Sequence, residues 1–228
     1  MRLFIILIMR RIVLIFLLCV PAFVQAQHLQ LKVGGGLAKL DKHSSVVPAW
    51  RLGAGYELEF DQHWTFSPAL IFAIKGWENP DETVYKKDNE GNIMQDPETG
   101  NHLTGVKNTE TVTYHVEMPL LFNYYLRTKE RQYVVFSAGP YAAYGVSGKT
   151  KVKGDTDRLG AERYYYDFDP FSDGDCKRFE VGAQVGVGYQ FSNGVTAGVD
   201  FSYAFTKVDG QRKPVSALLS FSYLFRGK

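Results

Sequence analysis

Eight ionisable side chains stand at alternate positions within largely apolar segments of this 228-residue chain. They are Arg51, Glu57, Glu59, Lys75, His115, Glu117, Glu180 and Asp200. A histidine two residues from a carboxylate, as His115 is from Glu117, can move protons, and such a pair with a serine nucleophile supports acyl transfer. Charges of both signs in a narrow interior more often pair with one another, because an unpaired buried charge is costly. We therefore expect one hydrogen-bonded ionic network with a structural role and no catalytic residue.

A second group of candidate ligands is acidic and consists of Asp167, Asp169, Asp173 and Asp175. Carboxylate oxygens suit calcium, but the spacing of these residues does not match an EF-hand, so a solvated acidic loop is the favoured interpretation. The three tyrosines at 164–166 are expected to form a contact surface or to extend a strand. The sequence contains no phosphate loop, zinc-ligand spacing or nucleotide motif, so we predict no cofactor and no metal.

The elements that carry these charges are predicted to be strands, because apolar and polar residues alternate with a period of two. In residues 215–226, Leu219 and Phe221 share one face and serines occupy several of the alternate positions. The same pattern predicts strands at 29–37, 50–60, 64–74, 112–126, 133–146, 179–191 and 195–206. After residue 26 no segment shows a convincing helical stripe or approaches the length of a transmembrane helix.

The predicted connections alternate in length along the chain. Three are short, at 61–63, 127–131 and 192–194, and the others are longer, at 39–48, 79–110, 148–176 and 207–213. This alternation is typical of a single antiparallel up-and-down transmembrane β-barrel, here of about eight strands, with both termini at the end of the short turns. Turn-forming residues in the longest connection indicate that its flanking strands continue as a hairpin outside the membrane.

Alternation alone does not distinguish a membrane barrel from a soluble barrel with an apolar interior. The polar faces favour the membrane, because they are poor in Lys and Glu and rich in glycines such as Gly182 and Gly186, which suit a narrow interior. Trp50 and Phe60 end one apolar face, and their separation along the chain corresponds to a height of about 25 Å for a strand tilted by about 40°. Side chains are expected to fill such a barrel, which disfavours a wide pore.

Residues 1–26 have the features of a cleaved signal peptide. Three arginines flank an apolar stretch, residues 12–20, and Val24 and Ala26 suit the cleavage site. The competing interpretation is a permanent anchor helix, but the stretch falls short of the roughly 20 residues that such a helix needs. We expect cleavage after Ala26.

The remaining chain, residues 27–228, is expected to form one barrel domain. Removal of the leader leaves 23 Lys and Arg against 24 Asp and Glu, a formal net charge of −1. No basic surface therefore argues for a nucleic-acid partner. Cys176 is the only cysteine that remains, so an internal disulfide is not possible and an inert loop thiol is expected.

Several short segments resemble the PorT-like outer-membrane β-barrel proteins. They are Ala26-Gln27, Tyr114-His115-Val116-Glu117-Met118-Pro119-Leu120-Leu121, Tyr124-Tyr125-Leu126, Ala138-Gly139-Pro140-Tyr141 and Val185-Gly186-Val187-Gly188-Tyr189. The resemblance covers essentially all of the chain after the leader and implies a barrel in the outer membrane of a Gram-negative bacterium. At Glu180 it departs from the aspartate that family members often carry. The namesake is linked to protein secretion and gliding, but fold alone does not transfer that link.

Three kinds of function remain open from the sequence. The expected one is a structural or interaction role carried by long extracellular loops, in contact with outer-membrane lipid, lipopolysaccharide and other envelope proteins. An accessory component of an outer-membrane secretion system is the first alternative. The second is a lipid-modifying enzyme, which needs a nucleophile at the lipid boundary, and no serine is placed convincingly there. We therefore expect no enzymatic activity.

Overall fold

The computed structural model describes residues 27–40, 44–88, 90, 92–154, 164–172, 176–210 and 212–225, and the predicted leader lies outside this part. The described residues contain no helix with the length and apolarity needed to span a bilayer. The regular elements are strands, namely β1 (Gln27–Leu40), β2 (Val47–Glu59), β3 (Trp64–Tyr85), β4 (Thr104–Lys129), β5 (Gln132–Gly154), β6 (Tyr164–Phe168), β7 (Phe179–Gln190), β8 (Val195–Ala204) and β9 (Pro214–Phe225).

Eight of these nine strands close into a ring. Neighbours follow the order β1-β2-β3-β4-β5-β7-β8-β9, and β9 pairs with β1. All these pairings are antiparallel. The closing register runs from Leu29 opposite Phe225 to Leu40 opposite Pro214, so β1 and β9 cover each other's edges. The prediction of an all-β, up-and-down barrel of about eight strands is confirmed.

Three tight turns lie at the end of the ring where β1 begins and β9 ends. They comprise residues 60–63, 130–131 and 191–194. In the last of them Gly194 has a φ of 88° and donates a 3.0 Å hydrogen bond to the carbonyl of Phe191. This backbone conformation favours glycine and closes the hairpin between β7 and β8. The described ends of the barrel domain therefore lie at the short-turn end, as predicted.

Three strands are much longer than the rest of the ring. β3, β4 and β5 have 22, 26 and 23 residues, whereas the other ring strands have 10 to 14. The hairpin extension predicted within residues 79–110 is confirmed, since β3 continues to Tyr85 and β4 begins at Thr104. A bulge interrupts their ladder around Pro80, which has no N–H to donate.

The second long connection also begins as a strand. The predicted end of β5 near residue 146 is wrong, because its ladder with β4 continues to Gly154. β6 pairs with this extension outside the ring, so the predicted strand extension at tyrosines 164–166 is confirmed. We call residues 78–88, 90, 92–112 and 147–154 together with β6 the projecting sheet, which includes the tip of the hairpin between β3 and β4.

The two faces of the barrel wall differ in polarity. Large apolar side chains point outward and are exposed, as at Leu52, which is 65% exposed, whereas Glu117 on the inner face is 2% exposed. A soluble barrel with an apolar core shows the opposite arrangement, so the predicted orientation of the faces is confirmed. A continuous apolar outer surface suits contact with hydrocarbon.

Aromatic side chains concentrate at both edges of this apolar surface. At the short-turn end Trp64 packs on Tyr124, with ring centroids 5.0 Å apart. Near the opposite end Trp50 is exposed, as are Tyr144 and Phe179 on the paired strands β5 and β7. Two such girdles are typical of barrels that cross a membrane.

Glycines on the inner face make room for the large polar side chains. A Cβ on Gly182 would lie 2.6 Å from the ring of Tyr141, and one on Gly186 would lie 2.3 Å from Oδ1 of Asp200. Both distances are shorter than real contacts. The Tyr141 ring and the nearby backbone leave no room for a Cβ at Gly182, whereas the carboxylate of Asp200 could shift away from one at Gly186.

Candidate functional site

A lysine joins two carboxylates in the middle of the barrel interior. Lys75 of β3 forms an ion pair with Glu117 of β4, and its Nζ donates a 2.8 Å hydrogen bond to Oε1 of Glu180 on β7. Tyr141 of β5 donates a 2.6 Å hydrogen bond to the same oxygen of Glu180. The four side chains are buried, so this ionic contact spans the lumen between distant strands.

Arg51 of β2 extends this contact to a further carboxylate. Its Nη2 lies 3.9 Å from Oε2 of Glu117, and its Nη1 lies 3.8 Å from Oδ2 of Asp200 on β8. Lys32 lies within electrostatic reach of Asp200. We name Arg51, Lys75, Glu117, Glu180 and Asp200 the central ion cluster. Its side chains come from five strands, and charges of opposite sign are paired within it.

A second polar group lies nearer the short-turn end. Glu57 accepts a 2.6 Å hydrogen bond from Thr65 and another hydrogen bond from Tyr125. Asn123 donates to Thr65 over 3.0 Å and to Ser67 over 2.7 Å. Among the described side chains, no ion pair links Glu57 to the central ion cluster.

Glu59 and His115 also lie outside the central ion cluster. Glu59 is exposed at the rim, with Oε1 3.6 Å from Nε2 of His28. His115 is buried, with Nε2 3.0 Å from the hydroxyl of Thr113 and its ring edge-on to Phe171. Of the eight residues expected to form one network, five lie in the central ion cluster, whereas Glu57, Glu59 and His115 make these other contacts. The single network of eight stays a prediction.

Height along the strand separates Glu57 and Glu59 from the central ion cluster, whereas His115 lies beside Lys75 and Glu180 without an ion pair to them among the described residues. Residues on one face share an orientation, but six residues of strand separate Arg51 from Glu57 by about 20 Å along the chain. The structural role predicted for the interior charges remains a prediction.

Apolar side chains from four parts of the chain cover the lumen beneath the projecting sheet. We name them the outer cap, and they are Leu40, Trp77, Phe171, Cys176 and Val208. Only about 10 Å³ of space remains where the cap meets Lys75, His115 and Glu180. Cys176 lies in the loop before β7, as expected, and its side chain is buried in this cap without a disulfide.

The opposite end of the lumen is open. A cleft of about 350 Å³, the inner cleft, lies at the short-turn end, and its lining includes Glu57, Glu59, Asp61, Tyr125, Arg127 and Tyr133. The barrel is therefore asymmetric, because apolar side chains close one end and polar side chains surround a cavity at the other.

Asp61 organises the turn beside this cleft. Its Oδ1 accepts hydrogen bonds of 2.7 and 2.8 Å from the backbone N–H groups of His63 and Trp64. These two donors hold the pKa of the Asp61 carboxyl below its ordinary value. Ionised Asp61 therefore stabilises the fold at neutral pH, and this stabilisation is lost as the pH falls through the folded-state pKa.

Asp61→Asn is expected to lower the urea midpoint of unfolding at pH 7, because the amide oxygen is a weaker acceptor than the carboxylate. The difference from the unsubstituted protein should disappear in acid, where Asp61 is protonated. Unfolding of both proteins in lipid vesicles at several pH values measures this difference directly. A difference that stays constant down to acid pH would contradict the assigned role of the charge.

The predicted acidic loop is only partly described. Asp173 and Asp175 lie outside the described residues, and Oδ1 of Asp169 accepts a 2.9 Å hydrogen bond from the backbone of Phe171. In the part of the chain that the structure describes, no group of three His, Cys, Asp or Glu residues is placed to hold a metal ion.

The arrangement of the strands defines a class of protein. A closed ring of eight antiparallel strands with an apolar outer wall, aromatic girdles, short turns at one end and long strands at the other is a transmembrane β-barrel of the outer-membrane type. Residues 27–210 match the family model described as "Outer membrane protein beta-barrel domain". The chain belongs to this family and is an outer-membrane protein.

Solved structures of other outer-membrane barrels are similar in outline. Neisserial surface protein A has a TM-score of 0.46 and 14% identity over 89% of this chain and 98% of its own. The outer membrane enzyme PagL has a TM-score of 0.42 and 11% identity over 87% and 99%. Ail, the attachment invasion locus protein of Yersinia pestis, has a TM-score of 0.33 and 16% identity over 87% and 97%. Such similarities carry no argument about activity, and no curated protein matches the chain.

Two contributors to the interior were not predicted as site residues. Tyr141 binds Glu180, and Tyr125 binds Glu57, each through its hydroxyl. Alternation offered a signal for Tyr141, since Gly139 and Ala143 flank it on the same inward face with small side chains. Tyr125 alternates with the apolar face of β4, so its inward direction was also readable from the sequence.

Proposed function

We propose that this outer-membrane barrel acts as a binding or structural protein through its projecting sheet, rather than as a wide pore. The observation that carries the proposal is the length of β3, β4 and β5, which continue well beyond the ring of the barrel. In outer-membrane barrels the end with long connections faces the outside of the cell. The projecting sheet is therefore the part best placed to meet another molecule.

The tip of the hairpin between β3 and β4 has an ordered backbone. The N–H of Met94 donates to the carbonyl of Lys86 over 2.8 Å, and the N–H of Leu103 donates to the carbonyl of Met94 over 2.9 Å. Asp88 and Asp96 each accept backbone hydrogen bonds that shape two tight turns. A backbone held in this way keeps its contact surface in one shape and lowers the entropic cost of binding.

Exposed apolar side chains occur on this hairpin, well away from the apolar belt of the barrel. Tyr85, Ile93, Met94 and Val106 are all exposed, and Tyr85 packs edge-on against His102 with centroids 5.5 Å apart. Exposed aromatic and aliphatic groups on a rigid support favour contact with another macromolecule. Other envelope proteins are the proposed partners, and the barrel wall contacts outer-membrane lipid and lipopolysaccharide.

The interior supports a role other than conduction. The central ion cluster joins side chains from five strands, and a cavity of only about 60 Å³ lies below it beside Lys32 and Tyr125. The outer cap then covers the end beneath the projecting sheet. An eight-stranded barrel filled in this way leaves little room for solute.

The proposal does not include an enzymatic activity. His115 is the interior histidine closest in sequence to a carboxylate, but it contacts Thr113 and Phe171 rather than the lipid-facing surface. An acyl-transfer enzyme in a membrane needs its nucleophile and base where the lipid can reach them. This geometry supports a non-catalytic role.

Membership in the PorT-like group, and with it an accessory role in secretion, is a narrower form of the proposal. Apart from Ala26-Gln27, the matching segments lie within β4, β5 and β7, all of them ring strands. They characterise the barrel wall, so the projecting sheet must supply any specificity for a secretion partner. Deletion of the hairpin tip tests the broader and the narrower form of the proposal together.

Replacing residues 86–103 with an Asn-Gly turn is expected to abolish capture of partners in intact cells. Tyr85 and Thr104 are opposite each other in the ladder, so a two-residue turn can close the shortened hairpin without disturbing the barrel. Photo-cross-linking in cells, followed by mass spectrometry, identifies the captured molecules. Enrichment of secretion components supports the narrower form of the proposal.

Glu117→Gln is the matched control, because it alters the interior and leaves the projecting sheet intact. Both variants must first show the heat-modifiable gel mobility of a folded barrel. Loss of capture in the folded interior variant, together with normal capture by the shortened hairpin, places function in the lumen and contradicts the proposal.

A further inference from the structure

Lysines stand just beyond the apolar belt on one side of the barrel, at the end where the projecting sheet lies. On β7 and β8 the belt ends at exposed Phe179 and Phe205, and a lysine occurs two residues further out. The same spacing follows Leu37 on β1 and Val215 on β9. These four strands are neighbours in the ring. We name the lysines the lysine rim, and they are Lys39, Lys177, Lys207 and Lys213.

The height of the lysine rim matches the headgroup layer of a bilayer. Two residues of strand span about 7 Å, and a strand tilted by about 40° rises by about 5 Å over that length. The polar layer on each side of the hydrocarbon core is about 5 to 8 Å thick. The ammonium groups therefore lie at the level of the lipid phosphates, and the alkyl stems of the lysines can follow the apolar surface.

Pairing between the strands brings the four lysines into two pairs. Lys39 lies opposite the residue two positions from Lys213. The backbone N–H of Lys177 donates a 2.7 Å hydrogen bond to the carbonyl of the residue after Lys207. Nζ of Lys213 lies 5.5 Å from the ring centroid of Tyr203, a belt residue of the strand that leads to Lys207. The two pairs are therefore neighbours on one side of the barrel.

The lysine rim carries a net positive charge. Among the described residues, Lys39, Lys177 and Lys207 form no ion pair. The carboxylate next to the rim is that of Asp209, and its Oδ2 accepts a 2.6 Å hydrogen bond from Nε of Arg212. These two opposite charges cancel, so the described part of this surface offers an excess of cations.

The opposite side of the barrel has the other sign at the same height. Glu78 of β3 and Glu110 of β4 lie directly opposite each other on the outward face beyond the belt. Glu110 also lies opposite Lys151 of β5, which balances positive charge on that strand. An anion at the level of the headgroups is therefore attracted to the side that carries the lysine rim and repelled by the side that carries the glutamates.

We propose that the lysine rim binds the phosphate groups of a phosphorylated lipid in the outer leaflet, while the acyl chains of that lipid pack on the belt below. Ammonium groups form charge-assisted hydrogen bonds with phosphate, and exposed Phe179 and Phe205 offer the adjoining apolar surface. The end with long strands faces outside, which specifies the leaflet. The proposal does not depend on the projecting sheet, so its failure would leave the proposed function standing.

Native mass spectrometry of the folded full chain in a non-ionic detergent tests the proposal with two lipid probes. They are bisphosphorylated lipid A and the same lipid without its phosphates. The phosphorylated form should bind at least about tenfold more tightly, and equal affinities overturn the proposal. The titrated chain retains Asp173 and Asp175, which lie outside the described residues, so neutralisation of the rim by them would appear as equal affinities. Displacement of the lipid by an equal concentration of inorganic phosphate assigns the surface to a free anion and also overturns the proposal.

Replacing all four lysines of the rim with glutamine should weaken binding of bisphosphorylated lipid A by about tenfold or more. The matched control changes the net charge equally but in the projecting sheet, further from the membrane, and should leave the affinity unchanged. It combines glutamine substitutions at Lys86, Lys87, Lys107 and Lys153. Unchanged affinity in the rim variant, or an equal loss in both variants, overturns the proposal.

A smaller variant keeps the test decisive if the rim variant lacks the heat-modifiable gel mobility of a folded barrel. Lys177→Gln combined with Lys207→Gln alters two exposed side chains that lie outside β7 and β8. The affinity for bisphosphorylated lipid A should then fall several-fold. An unchanged affinity in this folded double variant contradicts the assignment of the phosphates to the lysine rim.

Discussion

Lys75→Met is expected to destabilise the barrel by about 3 to 5 kcal/mol, because it leaves two buried carboxylates without their shared cation. Lys75 contacts both Glu117 and Glu180, and all three side chains are buried. Arg51 still lies 3.9 Å from Glu117, but among the described residues the hydrogen bond that remains to Glu180 comes from the Tyr141 hydroxyl. The loss should therefore fall mainly on Glu180. Unfolding by urea in lipid vesicles, followed by tryptophan fluorescence, measures the change in free energy.

A triple variant separates charge imbalance from loss of packing. Lys75→Met combined with Glu117→Gln and Glu180→Gln removes the cation and both carboxylates at once, and replacing a whole buried ionic group is often close to neutral. Most of the lost stability should return in this variant. If Lys75→Met alone unfolds like the unsubstituted protein, the central ion cluster has no structural role.

The architecture was predictable because the wall of a membrane barrel imposes a period of two on nearly every ring strand. In β9, Leu219 and Phe221 face lipid, and Ser216 and Ser222 face the interior, so alternation determined both the strand and its orientation. Glycines such as Gly182 then marked the inner face, because a narrow lumen cannot hold a Cβ beside Tyr141. The alternation of faces and the inward glycines both act within a single strand, so one sequence is enough to reveal them.

The grouping of interior charges was less predictable, because alternation reports the face of a residue and not its height. Glu57 and Arg51 share the inner face of β2, yet Glu57 binds Thr65 and Tyr125 while Arg51 approaches Glu117 and Asp200. Height depends on the register between neighbouring strands. That register is set by hydrogen bonding across the ring, which a period along one strand does not reveal.

The ends of the long strands were missed for a related reason. Beyond the membrane, β5 carries Lys149, Lys151 and Lys153 instead of lipid-facing apolar residues, so the apolar signal of a membrane strand stops near residue 146. The backbone hydrogen bonds with β4 continue, because lysine side chains on a strand outside the membrane are solvated by water. Hydropathy therefore located the edge of the membrane and not the end of the strand.

Val199→Arg is expected to cost about 2 to 4 kcal/mol, because it places a charge at the lipid-facing middle of the belt. Val199 lies on β8 between Val187 of β7 and Leu219 of β9, and it is 48% exposed. Its neighbours are apolar, so the guanidinium finds no carboxylate there and must reach toward a distant interface. The change in the free energy of unfolding in vesicles gives this cost.

Val106→Arg is the matched control, because Val106 is also 48% exposed but lies in the projecting sheet. Water surrounds that position, so the same substitution should change the stability by less than about 1 kcal/mol. A third variant places the same arginine on the inner face of β8. The Ser202 side chain is buried, and its hydroxyl lies 2.5 Å from the Ser216 hydroxyl. Ser202→Arg should therefore prevent folding, because the narrow interior has no room for the larger side chain. Equal, small costs at Val199 and Val106 would mean that both positions face water, which contradicts a lipid-facing outer wall.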